Sequence, residues 1–341
     1  MKDLKHLIEF ENLLQEANNE LVQQAKADGK IALGYTCYHI PEVLLNLPGC
    51  FSTRLRAPRT GSLDIATYYM SSYLCGYSKA LVERGIEGGY NYLDALIGSE
   101  SCSEMNRAYE HFELLNLVNN PKFFVSIADV PFKIMPHTVK HFKQQLQIKL
   151  LDKIHDVYGI DISDDAMRKA VEEHNEVCRL ITEIGEYRKE DNPRITGYEF
   201  HVINLVSYVC PKYLIIDKLT DDGDVLEQII LHYMHTSQCP RYMSHDKVVG
   251  RKEYVRQLVN DYHADGVIYE QLKFCEYWGY ERALASHIVS NDYGIPTVTV
   301  DRQYTANASG QLRTRIQAFV ESLEIKKIQK AQKAREAAVN D

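Results

Sequence analysis

One short pattern is written twice in this chain, and it limits the fold more than any other feature. The first copy is Leu93-Asp-Ala-Leu-Ile-Gly-Ser-Glu-Ser-Cys102, followed by a helical run from Glu104 to Leu117. The second is Ala264-Asp-Gly-Val-Ile-Tyr-Glu-Gln-Leu-Lys-Phe-Cys275, followed by a helical run from Tyr280 to Asn291. Each is an apolar strand, a loop, a cysteine and a helix. That order builds parallel α/β sheets, which take ligands at the carboxyl ends of their strands. It also puts Cys102 and Cys275 beside helix amino ends, where the helix dipole favours a thiolate. The residues alone leave two readings open: metal ligands, or small buried side chains of a core.

A looser third use of the pattern starts at the strand Ile31-Ala-Leu-Gly-Tyr35, with Cys37 after it and Pro41 opening a helix. Before it, Leu4 to Lys26 has the apolar period of one amphipathic helix, stopped at Asp28-Gly29. Ser62 to Arg84 reads as one helix with Cys75 inside it. Strands are expected at Asp94–Gly98 and Lys122–Ile127, and Thr138 to Lys189 is mostly helical, broken before an N-cap at Ser163. The second half offers strands at Tyr213–Asp217, Val267–Tyr269 and Pro296–Asp301, a helix from Glu253 to His263, and a terminal helix from Gln311 to Gln332. The expected class is α/β: two doubly wound, parallel-sheet domains of flavodoxin or Rossmann-like type with a helical connection. The segments are 1–137, 138–192 and 193–341. The second domain looks short between Pro193 and Cys239, so its sheet is expected to be less complete than the first.

The 341 residues suffice for two such cores, and a net charge of -8 implies no broad basic surface for nucleic acid. No apolar run is long enough for a signal peptide or a bilayer span, so a cytoplasmic protein with no membrane partner is expected. In a reducing cytosol the eight cysteines are not disulfides, and no CxxC pair suggests a zinc ribbon. GxxxxGK[ST], GxGxxG and GxSxG are all missing, which argues against P-loop, Rossmann nicotinamide and α/β-hydrolase chemistry. Cys178 reads as core; Cys50 and Cys210 adjoin turns; Cys239 in Gln238-Cys-Pro-Arg241 is either near a site or only in a turn. His232 and His235 share a helix face without a third ligand. Arg54, Arg56 and Arg59 either face phosphates or simply solvate a loop, and Tyr35, Tyr38 and Tyr77 flank cysteines.

Several segments, in order along most of the chain, carry a family resemblance. They are Gly34-Tyr-Thr-Cys-Tyr-His-Ile-Pro-Glu-Val-Leu-Leu45, Leu74-Cys-Gly-Tyr-Ser-Lys79, Ser101-Cys-Ser-Glu-Met-Asn-Arg107, the Cys275 copy above, Gly294-Ile-Pro-Thr-Val-Thr-Val-Asp301 and Ser309-Gly-Gln-Leu-Arg-Thr-Arg-Ile-Gln-Ala-Phe319. The chain resembles the 2-hydroxyacyl-CoA dehydratase family, which includes benzoyl-CoA reductase subunits and double-cubane-cluster proteins. The resemblance implies two similar α/β domains around a [4Fe-4S] cluster held by Cys75, Cys102 and Cys275. Cys37 matches a position that is cysteine in only some members and is a fourth candidate. The implied chemistry is radical: an ATP-hydrolysing iron–sulfur activator delivers one electron, the cluster passes it to the acyl-CoA thioester, and the ketyl radical expels the 2-hydroxyl. The implied partners are a paralogous subunit or a second copy of the chain, the activator and an acyl-CoA. Two other readings stand beside it: a reductase of the benzoyl-CoA or double-cubane type, and a subunit whose cluster only relays electrons.

Overall fold

Short apolar runs without a polar face suit strands covered on both sides, and most strands of the first half of the chain are of this kind. The computed structural model describes residues 4–207, 215–216, 219–304 and 309–340. They divide into two compact units, Met1–Ser237 and Gln238–Asp341. This division falls later than the segment ends at 137 and 192 expected from sequence.

The first unit holds a four-stranded parallel sheet in the order β2-β1-β3-β4. β1 is Ile31–Tyr35, β2 Cys50–Arg54, β3 Ala95–Glu100 and β4 Phe124–Asp129. The chain leaves β1 for β2 on one side, and β3 lies on the other. The topological switch point, where such sheets open a crevice, is therefore between β1 and β3. β3 is buried from Ala95 to Ser99, and its register runs to Glu100 opposite Asp129.

The single helix expected over 4–26 is two: α1 (Lys5–Leu13) and α2 (Glu20–Ala27). Asn19 separates them, accepting hydrogen bonds from the N–H groups of Leu21 and Val22. Pro41 leads into a 3-10 turn, Glu42–Leu45, rather than a helix. The helix expected from 62 to 84 is also two, α3 (Asp64–Tyr69) and α4 (Gly76–Ile86), with Cys75 as the N-cap of α4 rather than inside a helix. The break is held from α4: Glu83 accepts the Ala66 N–H at 2.7 Å, and Lys79 donates to the Ser72 carbonyl at 3.1 Å.

α5 (Ser103–Leu114) packs on β3 and β4. Its Tyr109 ring lies against Gly98, where a Cβ would sit 2.5 Å from a ring carbon. Gly98→Ala is expected to cost about 1–3 kcal/mol by overpacking. Chemical denaturation would measure it, and an unchanged midpoint would refute the close approach.

α6 (Pro136–Leu146), a π-helical turn (Gln147–Leu151), α7 (Asp152–Tyr158), α8 (Asp164–Glu186) and α10 (Val225–Thr236) pack on one side of the core, and α9 (Gly197–Ser207) packs on α1 and α8. Ser163 caps α8 as expected, accepting from the Ala166 N–H. Buried aliphatic residues of α6, α8 and α10 share one core with β1, β3 and the turn at Glu42–Leu45. The strand expected at 213–217 lies mostly outside the described residues.

The second unit contains α11 (His245–Asp261), β5 (Val267–Leu272), α12 (Glu276–Asn291), β6 (Thr297–Arg302) and α13 (Ser309–Asn340). Its sheet is parallel, with β5 and β6 the strands among the described residues of this unit. A buried carboxylate ties α11 to α12: Glu281 accepts from Arg251 at 2.8 Å and from Lys252. Burial alone would raise the Glu281 carboxyl, but the two cations outweigh it and hold it below its ordinary value. Among the described residues no helix is long and apolar enough to cross a membrane.

Candidate metal centre

A strand that ends in a loop and feeds a helix presents its loop residues to the carboxyl edge of the sheet. Cys37 follows β1 and Cys102 follows β3, so the two thiols flank the switch point. They are linked through Ser101: its hydroxyl donates to the Cys37 sulfur at 3.7 Å and exchanges a 2.8 Å hydrogen bond with Ser99. Beneath them Tyr109 is fully buried and bonded to Thr36, which fixes α5 to the end of β1.

Cys102 is the N-cap of α5, and Cys75 that of α4. No formal cap bond closes at either sulfur. The backbone N–H groups of Tyr77 and Ser78 nonetheless favour the Cys75 thiolate, and those of Glu104 and Met105 the Cys102 thiolate. Burial acts more strongly the other way. It raises the Cys75 thiol, and with the Glu104 carboxylate it pushes Cys102 up to about 12. Half-buried thiols of this kind stay protonated until a cation takes the proton's place, which is how thiolate metal sites behave.

Two charged groups distinguish the pair. Lys79 lies one turn along α4 from Cys75 and is 7% exposed. Its ammonium is held below the ordinary value by burial, against the opposing pull of the Cys75 sulfur. Glu104 lies beside Cys102, whose thiol donates to Oε2 at 2.8 Å, and its charge also acts on Cys75.

In the second unit Cys275 is the N-cap of α12, at the carboxyl end of β5. The turn that presents it is strained: Phe274 has φ 73°, a left-handed conformation uncommon for a bulky residue. The Cys275 carbonyl accepts from the Gln271 amide at 2.7 Å and from the Gly279 N–H at 3.0 Å, locking the cysteine to the start of α12.

Burial sorts the cysteines. Cys37, Cys75, Cys102, Cys239 and Cys275 are half-buried, whereas Cys50 and Cys178 are buried. Cys178 is core, as its helical context implied, and Cys210 lies outside the described residues. Cys50 lies within β2, a strand not expected from the sequence.

The remaining candidates take ordinary roles. Arg56 donates to the Leu14 carbonyl and Arg59 pairs with Glu16, so both hold the loop to the α1 region. Tyr35 is core, Tyr38 packs on Tyr233, and Tyr77 donates to the Leu55 carbonyl. Among the described residues no three His, Cys, Asp or Glu side chains gather at metal-binding distance, His232 and His235 included. The donor chemistry within the first unit nevertheless suits iron–sulfur ligation: sulfur ligands, helix amino ends and partial burial. Sequence reasoning did not single out Glu104 and Ser101. The only linear signal for them is a carboxylate and a hydroxyl within two residues of Cys102.

The family model for the 2-hydroxyglutaryl-CoA dehydratase D-component matches residues 37–221 and 212–323. The chain is 19% identical to the (R)-phenyllactyl-CoA dehydratase beta subunit of Clostridium sporogenes, over 94% of this chain and 99% of that one. It is 20% identical to the beta subunit of (R)-2-hydroxyglutaryl-CoA dehydratase of Acidaminococcus fermentans, over 93% and 99%.

Proposed function

The chain belongs to the 2-hydroxyglutaryl-CoA dehydratase D-component family, and on that premise we propose that it is the iron–sulfur subunit of a 2-hydroxyacyl-CoA dehydratase. Cys75, Cys102 and Cys275 are the proposed ligands of a [4Fe-4S] cluster. The reaction is loss of water from a 2-hydroxyacyl-CoA through a thioester ketyl radical, after one-electron activation by an ATP-hydrolysing iron–sulfur protein. The beta-subunit names of its relatives support a paralogous partner subunit.

The observation that carries this reading is the shared setting of the three cysteines. Each is a half-buried helix N-cap, and two of them directly follow a strand. Thiols placed only for packing would resemble Cys50 and Cys178. When bound, such a cluster supplies a low-potential electron and a Lewis-acidic iron, which a poor hydroxyl leaving group requires. The chain's own contribution is to bind and orient. The amino ends of α4 and α5 offset thiolate charge, the Ser101 hydroxyl orients the Cys37 sulfur, and the Tyr109 ring on Gly98 closes the floor beneath them.

Anaerobic purification with the partner subunit is expected to yield a brown protein with roughly four irons per chain. Colourless, iron-free protein would overturn the reading. Cys37, at the same sheet edge, motivates the double-cubane reductase alternative, which requires roughly eight irons per chain. A subunit that only relays electrons would show no change in its cluster spectrum when acyl-CoA is added.

A further inference from the structure

A helix that is apolar on two opposite sides needs a neighbour on each. In α13 the inner side packs on the sheet of the second unit. Phe319 lies against Gly266, where a Cβ would sit 2.7 Å from the ring, and Lys327 pairs with Asp265 at 2.7 Å. Ile328 is nine residues past Phe319, which is about two and a half turns, so it lies on the opposite side. There Val320, Ile325 and Ile328 are exposed by 45%, 55% and 58%. From Glu324 to Arg335 every described side chain is exposed, and a helix left uncovered over such a length is marginal in water. We propose that this outer stripe of α13 pairs antiparallel with the same stripe of a second copy of the chain, on a two-fold axis at Ile328.

The charges on the stripe select that occupant. In order it carries Glu321, Glu324, Ile325, Ile328, Gln332 and Arg335. It is acidic at one end, apolar in the middle and basic at the other. Glu321, Ile328 and Arg335 are spaced by seven residues, which keeps them on one seam of a helix pair. Turning a second copy end for end about Ile328 sets Glu321 opposite Arg335, and by symmetry Arg335 opposite Glu321. The two Ile328 side chains meet on the axis, and Ile325 meets Ala331. Such reciprocal contacts define an isologous dimer.

Parallel pairing would instead set glutamate on glutamate and arginine on arginine, so the charges fix the direction as well as the partner. Within one chain these charges are not spent on each other. Glu321 accepts from Gln317, one turn back, at 3.0 Å, and among the described residues neither Glu321 nor Arg335 has an oppositely charged partner. Lys326 and Lys333 fall on the other side of the helix by the same geometry and stay in water. The contact is independent of the iron–sulfur reading.

The test measures self-association of the full chain by sedimentation at micromolar concentration, without a paralogous subunit. The proteins are wild type, Ile328→Lys, Glu321→Arg and Arg335→Glu. The wild type is expected to be a dimer. Ile328→Lys, which places two ammonium groups on the axis, is expected to be monomeric. Each single charge reversal replaces two ion pairs by two like-charge contacts and is expected to weaken the dimer by about tenfold or more. Mixing the Glu321→Arg and Arg335→Glu proteins in equal amounts is expected to restore it, because each then meets the opposite charge it lacks. That restoration also shows both variants to be folded. A monomeric wild type, charge variants that dimerise as tightly as wild type, or a mixture no tighter than its components would overturn the proposal. So would a wild type that pairs only once a paralogous subunit is added, which would give this face to that subunit. Iron content is read separately, so failure here and failure of the dehydratase reading are told apart.

Discussion

Replacing Cys75, Cys102 or Cys275 individually by alanine is expected to strip most of the iron and lower dehydratase turnover by on the order of a hundredfold or more. A cluster anchored by three thiolates that loses one has two irons without a sulfur from the protein. Incomplete coordination of that kind is lost during purification. Cys50→Ala is the matched control. Its thiol is 6% exposed in β2, and burial followed by the Asp94 charge pushes it up to about 12. That variant is expected to keep its full iron content and lose only about 1–2 kcal/mol of stability from the small void. Iron analysis and the visible spectrum of the four variants decide the matter. A Cys275→Ala protein with undiminished iron would remove the second unit from the ligand set.

The second large effect is expected at His174 on α8. His174 Nδ1 bonds Glu42 Oε2 at 3.0 Å, and its Nε2 lies 3.4 Å from the Cys178 sulfur. The Glu42 carboxylate is held further by Ser52 at 2.9 Å and by Asn46. This chain of contacts fastens α8 to the turn that follows the Cys37 loop. Burial alone would hold the imidazole low. The hydrogen bonds to Cys178 and Glu42, with the Glu42 charge, outweigh burial and push His174 up to about 10.

The sign follows from linkage. A group whose folded pKa lies above its unfolded value of about 6.5 stabilises fully below that value. Its contribution fades as pH rises through the folded value. The wild type is therefore expected to lose a few kcal/mol between about pH 6.5 and pH 10. His174→Phe removes the cation and leaves Glu42 without it. The expected cost at pH 6.5 is about 3 kcal/mol, falling toward zero near pH 10. Denaturant titrations of both proteins across that range measure the difference. A cost that does not change with pH would mean that His174 is neutral in the fold.

Most strands of both units were legible because each is a short run rich in apolar residues, β2 being the exception. Their ends were not. β3 and β4 were expected to start and stop about two residues early, since the final rungs are set by what lies opposite: Glu100 pairs with Asp129, and neither is apolar. β2 escaped notice because Cys50-Phe-Ser-Thr-Arg54 alternates weakly and owes its state to β1 alongside it. The helix breaks were equally hidden. Glu83 and Lys79 hold the gap before Cys75 through side-chain bonds to residues in or beside α3, and periodicity carries no trace of such bonds.

The chain's linear order was enough to establish a parallel α/β architecture and the family. Strand–loop–cysteine–helix is a local pattern, and local patterns are written in neighbouring residues. What only the folded chain decided was the company each thiol keeps: Glu104 against Cys102, Lys79 near Cys75, Ser101 against Cys37, and His174 between Glu42 and Cys178. Ser101 against Cys37 and His174 against Glu42 join residues far apart in the chain, so packing of the whole unit sets those contacts and residue spacing carries no mark of them.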